Sequence, residues 1–265
     1  MLSIFLVFVQ LFSTSFFVYI FDYQVDDKVN QIGIILLGIL VGLIVMLLVL
    51  YLYIEVFYQL LGKKKPMTSM TKHKMATQMV SIPLHLTHTK ITIVGKEHLP
   101  SNPGFTIYSN HTSLMDIPLY MYAFYDYPVA FLAKEKVKNI FAIGKWVEAL
   151  GGVMIDRENT RKGAEAIIKV IKHVKMGLTM VIFPEGTRSK DPKKLLPFKE
   201  GSFKVALKSK APLVPMTIVK KEKVSWPRKK EVTIIIHEAI PYEEMKGLKS
   251  QELSAKVEKV IKSAL

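Results

Sequence analysis

The stretch SNHTSLMDIPL, Ser109 to Leu119, sets a histidine and a carboxylate five positions apart. If a helix starts between His111 and Asp116, capped by Thr112 or Ser113, the carboxylate can fold back toward the imidazole. A carboxylate on one ring nitrogen fixes the tautomer and makes the other nitrogen a better base. Such a pair can take the proton from a hydroxyl. Imidazole, with an ordinary pKa of ~6.5, is mostly neutral at cytoplasmic pH and so able to accept one. Taken alone, the same spacing also describes a surface histidine beside a helix-starting aspartate, so the rest of the chain decides.

Four further segments carry chemistry-bearing residues near strand ends. In FPEGTRSKD, Phe183 ends an apolar run and Pro184 stops it, leaving Glu185, Gly186, Thr187 and Arg188 as a tight polar loop. Glycine lets backbone approach a ligand closely, and a guanidinium offers a planar fork suited to phosphate. GGVMIDR delivers Arg157 to the end of a short strand. FLAKEKVKNIFAIGKW puts Lys134 at another strand end, with Phe141, Ile143 and Trp146 following: an anion contact beside an apolar channel, or a helix with solvated lysines. In APLVPMTI two prolines bracket an apolar strand.

The elements that must hold these residues follow from periodicity. Short apolar runs predict strands over Ile91–Val94, Phe105–Tyr108, Val129–Leu132, Val153–Ile155, Leu178–Phe183, Leu213–Val219 and Val232–His237. Between two of them, Ala164, Ile167, Ile168, Ile171 and Val174 follow helical spacing, with Gly177 as a stop. Near the C-terminus, Leu253, Val257, Val260, Ile261 and Leu265 share one helical face. This alternation implies an α/β domain over residues 66–265: a mixed or largely parallel sheet flanked by helices. Strand order stays open.

Residues 1–65 read differently. Met1–Phe21 and Ile32–Ile54 contain no charged residue, and each is long enough to cross a hydrocarbon core of roughly 30 Å as a helix. They predict a membrane-embedded helical hairpin, with helices at about 2–21 and 32–54. Asp22, Asp26, Asp27 and Lys28 lie between them, and Lys63, Lys64 and Lys65 follow. Cationic flanks favour the cytoplasmic side, so the α/β domain is expected on the cytoplasmic face of a membrane. A hairpin re-entering one leaflet leaves the lysines on that same face. A signal peptide would need a basic start and a small-residue cleavage site, which this start lacks.

The net charge of +15 lies wholly after residue 65. Beside a membrane, the nearest polyanion for such a surface is lipid headgroups. The aromatic interleaving of single-strand nucleic-acid binders is not obvious, so no nucleic-acid partner is expected. The absence of cysteine excludes disulfides, thiolate metal sites and a cysteine nucleophile.

Together NHTSLMD, GGVMIDR, FPEGTRS and LVPM stand in the order and spacing of the four motif blocks of the glycerolipid acyltransferases. The chain resembles that family over roughly residues 85–220 and in its N-terminal anchor. One departure is Met154, where the family often has an aromatic. The resemblance implies a fatty acyl thioester donor, of coenzyme A or acyl-carrier protein, and lysophosphatidic acid as acceptor, giving phosphatidic acid. It implies His111 as general base and Asp116 as its orienter. Asn110, Glu185, Gly186, Thr187 and Arg188 would shape the acceptor site, with Arg188, Lys134 and Arg157 near the phosphate. No metal and no cofactor beyond the thioester is implied. Backbone N–H groups just after His111 are one source of oxyanion donors. Alternatives are the same chemistry on another lysophospholipid or on glycerol 3-phosphate, and a non-catalytic membrane protein that binds anionic lipid.

Overall fold

A computed structural model of the chain describes residues 2–22, 28–140, 142–156, 159–221 and 230–265. The helices are α1 (Leu2–Asp22), α2 (Lys28–Phe57), α3 (Met70–Val80), α4 (Ile82–Leu86), α5 (Asp116–Ala123), α6 (Ile143–Ala149), α7 (Thr160–Lys175), α8 (Lys204–Ser209), α9 (Tyr242–Met245) and α10 (Ser250–Lys262). The strands are β1 (Lys90–Val94), β2 (Thr106–Ser109), β3 (Val129–Lys134), β4 (Val153–Ile155), β5 (Thr179–Ile182), β6 (Leu213–Lys221) and β7 (Glu231–Ile236). The chain divides into two compact units, Met1–Leu61 and Gly62–Leu265.

In the first unit, α1 and α2 are both long and apolar enough to cross a membrane. The second helix runs past the uncharged stretch at both ends, because Lys28 and Glu55 are compatible with helix even where they do not suit lipid. Gly38 and Gly42 are buried on α2 where it meets α1. A Cβ on Gly42 would lie 2.9 Å from the Gln10 carbonyl oxygen, so the missing side chain is what lets the helices approach. Gln10 Nε2 donates across this seam to the Ile39 carbonyl at 3.1 Å.

The second unit is built on a seven-stranded sheet in the order β1-β7-β6-β2-β5-β3-β4. From β6 to β4 the neighbours are parallel, β7 runs antiparallel to β6, and β1 is parallel to β7. The sheet is therefore mixed and mostly parallel. β2 and β5 are buried along their whole length, which is why they read as unbroken apolar runs and not as alternations. Because β2, β3, β4, β5 and β6 point the same way, their C-terminal ends share one edge of the sheet. That edge is where α/β sheets hold ligands.

The helices close the core. α10 buries Leu253, Val257 and Ile261. Each is worth roughly 1.5–3 kcal/mol of burial. α7 is amphipathic as expected and is followed by Gly177 at a φ of 90°. Its buried face, however, is Ala166, Val170, His173 and Val174, while Ala164 and Ile168 point to solvent. Ile167, Ile171 and Val174 of the expected face do pack on the core, so the observed face overlaps the expected one. His173 joins that face, its Nδ1 bonding the Gly151 carbonyl oxygen at 2.7 Å, a partner invisible to a hydropathy pattern.

Candidate active site

The site forms where the loop after β2 meets the loop after β5. Residues 111–115 leave β2 as an open turn, and α5 begins only at Asp116. Pro118 falls in its first turn, where the missing N–H costs nothing. The expected cap by Thr112 or Ser113 is reversed. The Asp116 carboxylate reaches back, and its Oδ2 accepts the N–H groups of Thr112 (2.8 Å) and Ser113 (2.9 Å). The same oxygen lies 2.8 Å from His111 Nδ1. An ionised carboxylate can only accept, so Nδ1 carries the proton and Nε2 holds the lone pair. Phe183 stacks on the imidazole, with centroids 4.1 Å apart at 15°. One ring face is thereby covered, and the ring is held as a flat wedge.

The loop after β5 fixes the backbone of His111 from both sides. Glu185 Oε1 accepts its N–H at 2.7 Å, and its carbonyl accepts the Ser189 N–H at 2.7 Å. Glu185 Oε2 takes the Leu196 N–H at 2.8 Å. Glu185 thus faces inward as a brace, with both oxygens committed, and not toward the open edge where a ligand would sit. Its partners explain why the two motifs belong together: one supplies the base, the other its seat. Gly186 turns the chain at a φ of 72°, a left-handed conformation that costs other residues roughly 1–2 kcal/mol. Beyond it, Thr187 and Arg188 are exposed.

Asn110 also departs from expectation. Its side chain is buried, with Nδ2 donating to the Ile218 carbonyl at 2.9 Å and Oδ1 accepting the Ile218 N–H at 2.8 Å. It extends the β2–β6 ladder by one rung, with both amide atoms engaged in the sheet. Three of the N–H groups considered as oxyanion donors are spent as well. Those of Thr112 and Ser113 go to Asp116, and that of Met115 goes to Ser113 Oγ at 3.1 Å.

Lys134 ends β3, exposed, on the edge that carries both loops. Of the apolar residues after it, Ile143 is exposed and Trp146 is buried, so they do not form one channel wall. Phe141 and Arg157 lie outside the described residues.

One residue was missed. Lys220, near the end of β6, donates from Nζ to Asp116 Oδ1 at 2.6 Å and to Thr112 Oγ1 at 2.6 Å. A lysine at a strand end was the available signal, but it gains meaning only once β6 is known to lie beside β2. It also shapes the electrostatics. Burial pulls the Asp116 carboxyl upward, yet the His111 bond, the Lys220 charge and the Ser113 N–H outweigh it, so the group titrates below an ordinary aspartate. Burial pushes the Glu185 carboxyl up, against the pull of the Leu196 and His111 N–H groups, and Glu185 stays above its ordinary value.

Residues 90–219 match the family model described as Acyltransferase. Over that segment the chain is similar to the acyltransferase family. Curated relatives include a 1-acyl-sn-glycerol-3-phosphate acyltransferase of Borreliella burgdorferi, 33% identical over 144 residues, covering 54% of this chain and 57% of that one. A protein of the same description from Cocos nucifera is 39% identical over 129 residues, covering 48% of this chain and 41% of its own. The chain spans about half the length of the curated relatives it matches. Among solved structures, the 1-acyl-sn-glycerophosphate (LPA) acyltransferase PlsC of Thermotoga maritima aligns with a TM-score of 0.56 at 24% identity, over 99% of this chain and 92% of that one. That likeness is one of fold.

Proposed function

We propose that the chain transfers a fatty acyl group from a thioester to the free hydroxyl of lysophosphatidic acid, giving phosphatidic acid. The observation that carries this reading is the His111–Asp116 pair. It is a tautomer-fixed base with Nε2 left for a hydroxyl, at the sheet edge that also bears Lys134, Thr187 and Arg188. The names of the curated relatives add the acceptor.

The chemistry needs no protein nucleophile. His111 Nε2 takes the proton of the acceptor hydroxyl as its oxygen attacks the thioester carbonyl. The C–S bond then breaks, and the imidazolium returns the proton to the departing thiolate. Asp116 holds the ring in register throughout. The exposed Arg188 grips the acceptor phosphate, with Lys134 as a further cation on that edge; Arg157 is the third cation in this reading, by its motif alone. Thr187 and Gly186 shape the loop around it, and Asn110 and Glu185 serve the site through its scaffold.

The two apolar helices are the membrane anchor of this reading, and residues 66–265 its catalytic domain. Lysophosphatidic acid and its product favour a bilayer, so an anchored enzyme meets its acceptor in two dimensions. The lysines at 63–65 put that domain on the cytoplasmic face. The donor is an acyl thioester of coenzyme A or of acyl-carrier protein. The deciding assay supplies membranes containing the protein with lysophosphatidic acid and each donor in turn, beside acceptors lacking a terminal phosphomonoester. Phosphatidic acid from at least one donor is expected. Equal turnover of a zwitterionic lysophospholipid, or none with either donor, would overturn the assignment.

A further inference from the structure

The contact between Lys220 and Asp116 is more than the pair beside it requires. Asp116 is a buried carboxylate whose two oxygens are used separately. Oδ2 receives His111 and two backbone N–H groups, whereas Oδ1 receives the Lys220 ammonium at 2.6 Å. The lysine side chain keeps 22% of its exposure, so solvent reaches only its margin. Its other bond, to Thr112 Oγ1, ties it to the turn that carries the base.

We propose that Lys220 is a positioning residue for the His111–Asp116 pair. Its ammonium grips the carboxylate from the side away from the ring, so that Asp116 orients the imidazole without also holding a proton on it. The consequence for turnover rests on the acyl-transfer reading; the electrostatic role does not.

A lone carboxylate beside an imidazole has two effects. It aims the ring, and it stabilises the imidazolium, which keeps a cycling base protonated. Lys220 separates them. Oδ2 stays with the ring, so the aim is kept. The carboxylate charge is already shared with a cation, so a second positive charge on the ring gains less. With a neutral ring, the lysine and the aspartate balance. Protonating the ring leaves these three side chains net positive, before the neighbouring Glu185 carboxyl is counted.

Other groups face this pair. Glu185, on the loop after β5, binds the His111 N–H and adds a second carboxylate. Tyr120, on α5, is buried and its phenol stays neutral. Phe183 supplies an uncharged face. Arg188 lies exposed on the loop after β5. Lys220 is the cation in direct contact with the carboxylate.

The sequence builds this placement through Asn110. By clasping both backbone groups of Ile218, Asn110 fixes β6 against the residue just before the base. Positions 218 and 220 lie on the same side of a strand, so the clasp also sets where the lysine lands.

The test uses the full chain in detergent micelles, as wild type and as Lys220→Met, Lys220→Gln and Lys220→Arg. Two readouts are taken against pH. One is kcat/KM for acyl transfer from acyl-coenzyme A, or from acyl-carrier protein if that is the donor, to lysophosphatidic acid. The other is the titration midpoint of the His111 ring by NMR, assigned with His111→Gln. In the Met and Gln variants, the acid limb and the ring midpoint should both move up by about one pH unit, so activity below the wild-type limb falls about tenfold further. Lys220→Arg should restore both, which a lysine acting only as mechanical support would not require. Glutamine can still donate to Oδ1, so it carries the test if the methionine variant does not fold. An unmoved limb and midpoint in the folded glutamine variant would overturn the proposal. So would an arginine variant displaced as far as the glutamine one. If wild type transfers no acyl group at all, the functional reading falls, and the ring midpoint alone decides for or against Lys220.

Discussion

The loop after β2 and the loop after β5 each bury one carboxylate, and the two carboxylates titrate in opposite directions. Asp116 is held below its ordinary value and Glu185 above it. Both accept backbone N–H groups, and both are buried. The difference lies in the side-chain partners: Asp116 has the His111 ring and the Lys220 ammonium, whereas Glu185 is bound by N–H groups alone at both oxygens. The loops also spend their remaining polar groups differently. From Asn110 to Ser113 the first loop bonds inward almost throughout. The second divides itself, with Glu185 and Ser189 turned toward His111 while Thr187 and Arg188 turn out. Chemistry and scaffold are thus interleaved within four or five residues, and a motif's span is a poor guide to which of its members touch substrate.

Breaking the base should have the largest effect. His111→Ala is expected to lower kcat by about 10²–10⁴-fold, the usual worth of a general base, with the domain still folded. Purified variant protein that turns over at near-normal rate would remove His111 from the chemistry. Next comes the outward half of the second loop. Arg188→Ala removes a charge-assisted contact of roughly 1.5–3 kcal/mol, which should raise acceptor KM about ten- to a hundredfold and leave donor KM and melting temperature alone. Lysine there should rescue only part, because a point charge lacks the fork. The inward half should behave conversely. Glu185→Gln sets an amide donor against one of two N–H donors, at a cost of about 1–3 kcal/mol, read as a lower melting temperature. Equal damage to melting and to acceptor KM in both variants would erase the distinction drawn between the two halves.

The smallest effect sharpens the contrast between the carboxylates. A carboxyl whose folded value is depressed contributes stability above its unfolded value, and loses it as pH falls through the folded one. The stability difference between wild type and Asp116→Asn should therefore be full at neutral pH and shrink on acidification below about 4. Denaturant unfolding at several pH values measures it, and parallel curves for the two proteins would argue against the depressed value.

Much of this was legible in the chain. All seven strands fall where short apolar runs placed them: the central ones, β2 and β5, are buried throughout, whereas β1 and β7 alternate in burial. His111 and Asp116 do meet, because their spacing suits a single turn. What escaped depended on which strands are neighbours. Glu185 became a brace because β5 lies beside β2, and Asn110 became a rung because β6 lies on the other side. Lys220 needed that same adjacency. Residue type and spacing report on chemistry and on local turns, but they carry almost no information about lateral order in a sheet. On α7, Ile167, Ile171 and Val174 reach the core as expected, and His173 joins them through a carbonyl bond that an apolar count does not see.

The close seam between α1 and α2 bears on how the protein is made. Gly38 and Gly42 let the two helices touch backbone to side chain, and Gln10 spends its amide on the partner helix. Lipid offers little drive for helices to associate beyond such fit and such bonds, and this pair carries both within its first 42 residues. The hairpin can therefore be complete once α2 has been synthesised, before any strand of the sheet. β1, whose neighbour in the sheet is β7, stays unpaired until that last strand arrives, and would wait on a chain already moored.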